Sequence, residues 1–354
     1  MREKFDSQDV LNSDNGSHIL AFKNKNIGDE DAKKIAQIIK GNTSITSLDL
    51  SDNNIGDEGA EALAQAIKAN TSITSLNLHF NNIAAKGAKA LAQVIKKNKS
   101  ITSLNLGYNC IEVKGAEAFA QAIKENKSIT SLNLSANFIG HKGAEALAQA
   151  IKQNTTITSL DLCSNYISDE GAEALAQAIK QNTSITSLNL RGNSNLRSKN
   201  IGQKGAEALA QAIKENRTIT SLDLGHNDIG DEGAKVLAQA IKEHNSITSL
   251  DLIGNNIADE GWDALIKALD ENYMITTLLL DSPDFISPEF QTKLSELLKR
   301  NEEVLINSRF AKTKVACFAH SSEGLFNHHK TSQIPLKSES LEKECRSQGQ
   351  SLIS

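Results

Sequence analysis

The side chains that could do chemistry in this 354-residue chain are spread out rather than gathered. His79, His141 and His226 occupy different positions of separate repeats, a spacing unsuited to one shared acid–base centre. His320, His328 and His329 could offer imidazole to a metal, but the polar segment around them brings no further ligand cluster. The column Asp49, Asn77, Asn105, Asn133, Asp161, Asn189, Asp223 and Asp251 is mildly acidic. Its interspersed asparagines fall short of the dense oxygen ligation that calcium needs, so it reads as a solvated face. Neither a glycine-rich phosphate loop, nor His-Glu-x-x-His, nor Gly-x-Ser-x-Gly occurs. No catalytic residue, metal site or cofactor is expected on these grounds.

Binding chemistry is better represented. Phe80 and Tyr108 take the position of Asp52 in successive repeats, and Phe138 and Tyr166 take that of Asn54 in the next two. Aromatic residues make up 4% of the chain, so four on neighbouring loops stand out. If adjacent repeats pair their strands roughly 5 Å apart, these side chains form a diagonal on one rim beside His79. Exposed Phe and Tyr are common interface anchors; packing between neighbouring loops is the other open reading. Next to them the repeat lengthens, because Leu190 and Leu224 are separated by 34 residues instead of 28. The extra segment, around Ser194 to Lys199, groups Arg191, Arg197 and Lys199 on an otherwise acidic chain. Insertions map to surface loops and often to binding faces, and a neutral insertion is equally open. The candidate partner site is therefore His79, Phe80, Tyr108, Phe138, Tyr166, Arg191, Arg197 and Lys199.

The elements that position these residues follow from a 28-residue self-similarity. Leu48, Leu76, Leu104, Leu132, Leu160 and Leu188 each open a Leu-x-Leu-x-x-Asn segment, and the series resumes at Leu222 and Leu250. Leu48 and Leu50 alternate with Ser47, Asp49 and Ser51, the period-2 pattern of a strand with one face buried. Asn53 and its equivalents should stack as a ladder whose amides satisfy backbone groups where the chain turns off the strand. Ala60, Leu63, Ala64 and Ile67 then fall on one face of a helix. Asp57 and Glu58 near its start and Lys68 near its end complement the helix dipole. Asn70 is expected as a left-handed C-terminal cap. One strand and one helix cannot bury their apolar faces alone, so the coils must stack.

The unit Leu-x-Leu-x-x-Asn-x-Ile, then Gly-Ala-x-Ala-Leu-Ala and a helix ending in Asn, resembles the ribonuclease-inhibitor-type leucine-rich repeats. It is similar to the repeat regions of NOD-like receptors and, more distantly, of the Ran GTPase-activating protein. The resemblance runs from about Ser17 to Asn301. It implies an α/β leucine-rich-repeat solenoid: a curved horseshoe with a parallel inner sheet and outer helices. It also implies a non-catalytic protein-interaction scaffold. The alternatives by analogy are activation of a small GTPase and ligand sensing of the innate-immune-receptor type, although the chain shows no nucleotide-binding domain to relay a signal.

Boundaries follow from the ends of the pattern. Residues 1–17 read as an extension and 18–301 as the solenoid, while 302–354 form a largely disordered tail. Lys25 replaces the ladder asparagine in the N-terminal capping unit; Pro283 replaces it in the C-terminal one, where Trp262 and Tyr273 add bulk. Val304 to Phe318 reads as a last amphipathic piece. The tail, ending Ser351-Leu352-Ile353-Ser354 behind Glu339, Glu342 and Glu344, resembles C-terminal translocation signals of bacterial type IV effectors. This implies delivery into a host cell. A net charge of −5 argues against binding nucleic acid through its phosphates. No run of about 20 apolar residues points to a membrane span. Cys110, Cys163, Cys317 and Cys345 lack metal or disulfide spacing and suit a reducing compartment. A cytoplasmic monomer with a protein partner is the expectation.

Overall fold

The computed structural model describes residues 18–193, 200–244, 246–280 and 288–323. The N-terminal extension, Arg197, Lys199, Pro283 and the tail beyond Glu323 lie outside them. Two compact units divide the chain, Met1–Val304 and Leu305–Ser354. The expected repeat boundary at 301 falls inside a helix, Pro288–Glu323, whose bounds include the start of the segment expected to be disordered.

Within the first unit strands and helices alternate: β1 Ile19–Ala21, α1 Asp29–Ile39, β2 Ser47–Asp49, α2 Asp57–Ala69, β3 Ser75–Asn77, α3 Ala85–Ile95, β4 Ser103–Asn105, α4 Glu112–Glu125, β5 Ser131–Asn133 and α5 Gly140–Ile151. The series continues with β6 Ser159–Asp161, α6 Asp169–Ile179, β7 Ser187–Asn189, α7 Gln203–Glu215, β8 Ser221–Asp223, α8 Gly230–Lys242, β9 Ser249–Asp251, α9 Asp259–Glu271 and β10 Thr277–Leu279. The strands form one parallel sheet in chain order. Leu48 pairs with Leu76, Leu76 with Leu104, and so on in strict register. The longer repeat keeps it too, with Leu188 opposite Leu222. The six extra residues thus leave the strand register unchanged. Paired strands sit roughly 4.8 Å apart, whereas packed helices need roughly 8–10 Å. The stack therefore bends with its sheet on the inside. The core between the layers is built of repeated small pieces, Leu48, Leu50, Ile55, Ala60, Leu63 and Ile67 in one coil, all buried.

Two asparagine ladders hold the turns between the layers. In the expected one, Asn53 accepts hydrogen bonds from the N–H groups of Lys25 and Ile27, both 3.0 Å, and donates to the carbonyls of Phe22 and Leu50. Asn137, fully buried, donates to Leu106 O at 2.9 Å, Leu134 O at 3.1 Å and Ser135 O at 2.9 Å. The second ladder corrects an expectation. Asn70 is extended, at φ −83° and ψ 134°, and is not a left-handed cap. Its buried amide donates to Ile39 O and Asn42 O of the preceding coil and accepts from Ser72 N and Ile73 N. The side chain reaches sideways to the neighbouring coil, and that reach requires an extended backbone at this point. His244 takes the same place in its own coil. Its Nε2 lies 2.8 Å from Asn216 O, so Nε2 carries the proton, and Nδ1 accepts from Ile247 N at 3.1 Å.

Helix starts are also tied across coils. Asp29 Oδ1 accepts from Gly56 N and Gly59 N of the next coil, at 2.7 and 2.9 Å. Asp57 does the same for Ala84 and Gly87, Asp169 for Gly202 and Gly205, and Asp231 for Ala258 and Gly261. Asp57 thus caps the following helix as well as standing in the first turn of its own. The glycine is needed, because a Cβ at Gly59 would lie 2.7 Å from Asp29 Oδ1. Ala85, Val113, His141 and Gln203 hold the clasp position elsewhere. The helices after Ala85, Val113 and Gln203 begin instead behind a helical isoleucine, Ile111, Ile139 or Ile229. After His141 the helix starts from extended Ser168.

Two outcomes test the ladders. Asn137→Ala strands buried carbonyls, each costing roughly 1–3 kcal/mol, so urea unfolding should show a loss of about 2–4 kcal/mol; a loss below about 1 kcal/mol would remove the ladder's structural role. Burial holds the His244 imidazole below its ordinary 6.5, with the Arg217 charge acting the same way. The folded state thus prefers neutral His244, and its contribution is complete above 6.5 and is lost as pH falls through the lowered folded value. Melting temperatures between pH 7.5 and 5 should fall more steeply for the parent than for His244→Asn, and parallel curves would contradict this.

Candidate functional site

To bring the ladder asparagine inward, the residue before it must turn through left-handed backbone. That position is occupied by Asn24, Asp52, Phe80, Tyr108, Ala136, Ser164, Gly192, His226 and Gly254, with φ from +49° to +70°. Two residues later, Asn26, Phe138, Tyr166 and Asn256 have φ of +54° to +57°. Glycine, Asn and Asp tolerate this region, whereas a bulky side chain pays steric energy of roughly 1–2 kcal/mol. All four aromatic residues of the expected site stand in it. They also stand in water: Phe80, Tyr108, Phe138 and Tyr166 are 55%, 48%, 50% and 40% exposed.

The structure arranges these rings as two pairs. Phe80 and Tyr108 have centroids 6.0 Å apart, with His79 5.0 Å from Tyr108; Phe138 and Tyr166 are 5.7 Å apart. The pairs are separate because Tyr108 and Phe138 lie at different loop positions, so the diagonal has a step. His79 leans over Gly107, where a Cβ would meet its ring at 3.2 Å and Asn133 Oδ1 at 2.9 Å. Its Nδ1 is 4.0 Å from Asp52, which pairs with Lys23 at 3.2 Å.

The Asp/Asn column has a local cause that the sequence alone does not display. Each of these side chains accepts the backbone N–H two residues on, as Asp161 does from Cys163 and Asn189 from Arg191. Either Asp or Asn serves this turn, which explains their interchange. Asn133 Nδ2 also donates to Asp161 Oδ2 at 3.1 Å, linking neighbouring coils across the inner face. Burial pushes the Asp161 carboxyl above its ordinary value, and the Asp223 charge adds to the shift. Asp223 is raised in the same way, by burial and then by Asp251. Arg191 turns toward the aspartates of this column. It lies across Gly225, with Nη1 2.8 Å from Asp251 Oδ2 and 3.7 Å from Asp223 Oδ1. Arg197 and Lys199 lie outside the described residues. Among the described residues no group of three or more His, Cys, Asp or Glu could hold a metal ion, and no helix is long and apolar enough to cross a membrane.

The outer surface is different in kind. Open grooves between helices, such as one of about 820 Å³, are lined by Lys86, Lys89, Lys114 and Glu117 over alanines, without convergent chemistry.

Comparison with known proteins adds the following. The profile of the family described as "TMOD/LMOD Leucine-rich domain" matches residues 108–204. The one described as "Leucine Rich repeat" matches residues 41–64, 69–92, 215–238 and 243–265. Among solved structures the chain is similar to "Leiomodin-1 Actin-Binding Site 2 (ABS2)", at 22% identity over 56% of this chain and 95% of that one, with a TM-score of 0.39. It is also similar to the tropomodulin C-terminal domain of Caenorhabditis elegans, at 17% identity over 48% and 98%, with a TM-score of 0.42. No curated protein matches the sequence.

The left-handed backbone separates the two readings of the aromatic residues. Phe80→Asn and Phe138→Asn install the residue that other coils carry at these positions, as Asn24 and Asn26 do. If the rings are not packing elements, relief of strain should leave stability unchanged or raise it by about 0.5–1 kcal/mol per site. A loss above about 1 kcal/mol on chemical denaturation would assign them to the packing of the loops.

Proposed function

We propose that this chain, a leucine-rich-repeat protein, is a non-catalytic scaffold that captures another protein with the rim formed by Phe80, Tyr108, Phe138 and Tyr166. One observation carries this reading. Four bulky apolar side chains are held exposed, in a backbone conformation that the other coils fill with small or polar residues. Strained positions with outward-facing hydrophobic rings add nothing to the fold that Asn or Gly would not supply. They do suit anchors that a partner would bury. His79 extends the first pair along the inner face.

The shape of the scaffold supports the same reading. A rigid sheet in strict register presents the loop residues of successive coils at constant spacing, so a partner would meet a preformed surface and lose little entropy in ordering it.

Phe80→Ala combined with Tyr108→Ala tests the proposal. Each anchor is worth about 1–2 kcal/mol, so capture from lysate should fall at least about tenfold, while circular dichroism and the melting temperature stay those of the parent. Partner capture that is unchanged in a folded double variant would overturn the proposed site.

A further inference from the structure

The aromatic pairs do not stand alone. Phe138 and Tyr166 belong to the coils of β5 and β6, whose strands end on Asn133 and Asp161. His79 connects the other pair to the same place. Its ring, Asn133 Oδ1 and Ser135 Oγ crowd the space over Gly107, and Asn133 Nδ2 donates to Asp161. Further along the face lie Asp223 and Asp251.

The molecule supplies its own examples of what such groups bind. Arg191 stretches over Gly225 to place its guanidinium on Asp251 and near Asp223. Arg300 sets its guanidinium 4.1 Å from the centroid of Tyr273. One internal arginine thus occupies the carboxylate column and another occupies an exposed tyrosine. Asp161 has the amides of Asn133 and Asn189 and its own turn as hydrogen-bond partners, and among the described residues no cation covers Phe80, Tyr108, Phe138 or Tyr166.

The spacing is also informative. The two aromatic pairs are displaced by two coils, roughly 10 Å at the strand spacing of a sheet. An extended chain rises roughly 3.3 Å per residue, so residues three apart are separated by the same distance.

We propose that the aromatic rim and the adjoining Asp161 recognise an extended, arginine-bearing segment of a partner protein, with arginines three residues apart stacking on the two aromatic pairs. This rests on the scaffold reading above. Arginine fits better than lysine, because its planar guanidinium stacks on a ring while its edge still donates to a carboxylate. The net charge of −5 favours such a partner at long range.

The probes are three labelled peptides. The first is a fourfold repeat of Arg-Gly-Ser, the second its isomer of identical composition with all the arginines in one block ahead of the Gly-Ser pairs, and the third a fourfold repeat of Lys-Gly-Ser. Fluorescence anisotropy with the full chain at low ionic strength should show the spaced arginine peptide binding about threefold or more tighter than either control. Phe80→Ala with Tyr108→Ala should erase that preference. Asp161→Asn, which installs the residue found in the same column at Asn133 and Asn189, should weaken binding severalfold. Glu173→Gln with Glu207→Gln, on the outer helices, should not. Equal binding of the three peptides, or equal loss from Asp161→Asn and the outer pair, would overturn the proposal. Partner capture that needs Phe80 and Tyr108 alongside equal peptide binding would leave the scaffold reading intact and remove the arginine one.

Discussion

Everything in this fold depends on buried asparagine. A coil of strand, loop and helix must turn twice between its two layers, and at each turn it carries backbone groups into the interior that neither the sheet nor the helix can satisfy. An unpaired buried carbonyl or N–H is too costly to leave. Asn53 and Asn137 answer the first turn by joining their own loop to the preceding one. Asn70 and its equivalents answer the second. Because each amide reaches the neighbouring coil, the same bonds that satisfy the turn also set the stacking distance. Hydrophobic burial drives the coils together, but the ladders determine where each coil stops.

That constraint passes outward to the surface. A chain pinned inward at Asn81 or Asn109 must take left-handed backbone one residue earlier, and the side chain there is pushed into solvent. Most coils fill the place with small or polar residues. Two coils place Phe80 and Tyr108 there, and Phe138 and Tyr166 take a second left-handed position. The exposed chemistry of this protein is thus written on positions whose backbone the core has already determined. The Asp/Asn column is governed in the same way. Its members close a turn at the end of each strand, and the charge left over is a by-product of which of the two residues does so.

Much of this is legible in the sequence. The period-2 leucines, the helical alanines and the 28-residue spacing specify the alternation and the parallel order, and Asn53 is recognisable as a ladder because it sits between two apolar positions. What the sequence conceals depends on partners one coil away. Asn70 follows a helix, and local rules make it a cap, whereas its hydrogen-bond partners are Ile39 and Asn42. Asp57 satisfies the ordinary preference for acid at a helix start, which hides its bonds to Ala84 and Gly87. Arg191 groups in sequence with the insertion beside it, but Gly225 opens a path to Asp251, sixty residues on. The exposed aromatic residues stand out by their rarity alone. Their strained backbone and their division into two pairs arise from the turn around the buried asparagines, which no local pattern of residues records.

The aspartate clasps divide the array unevenly. Asp29 and Asp57 tie α1 to α2 and α2 to α3, and Asp169 and Asp231 tie later helices, but Ala85, Val113 and His141 leave three successive joints, from α3 to α6, without one. Those joints connect the four coils that carry Phe80, Tyr108, Phe138 and Tyr166. Main-chain hydrogen bonds cross these same joints, from Cys110 N to Ile83 O, Glu112 N to Asn137 O and Gly140 N to Asn165 O. The coils behind the aromatic rim are therefore fastened through backbone groups, which keep their place whatever side chain stands at the surface.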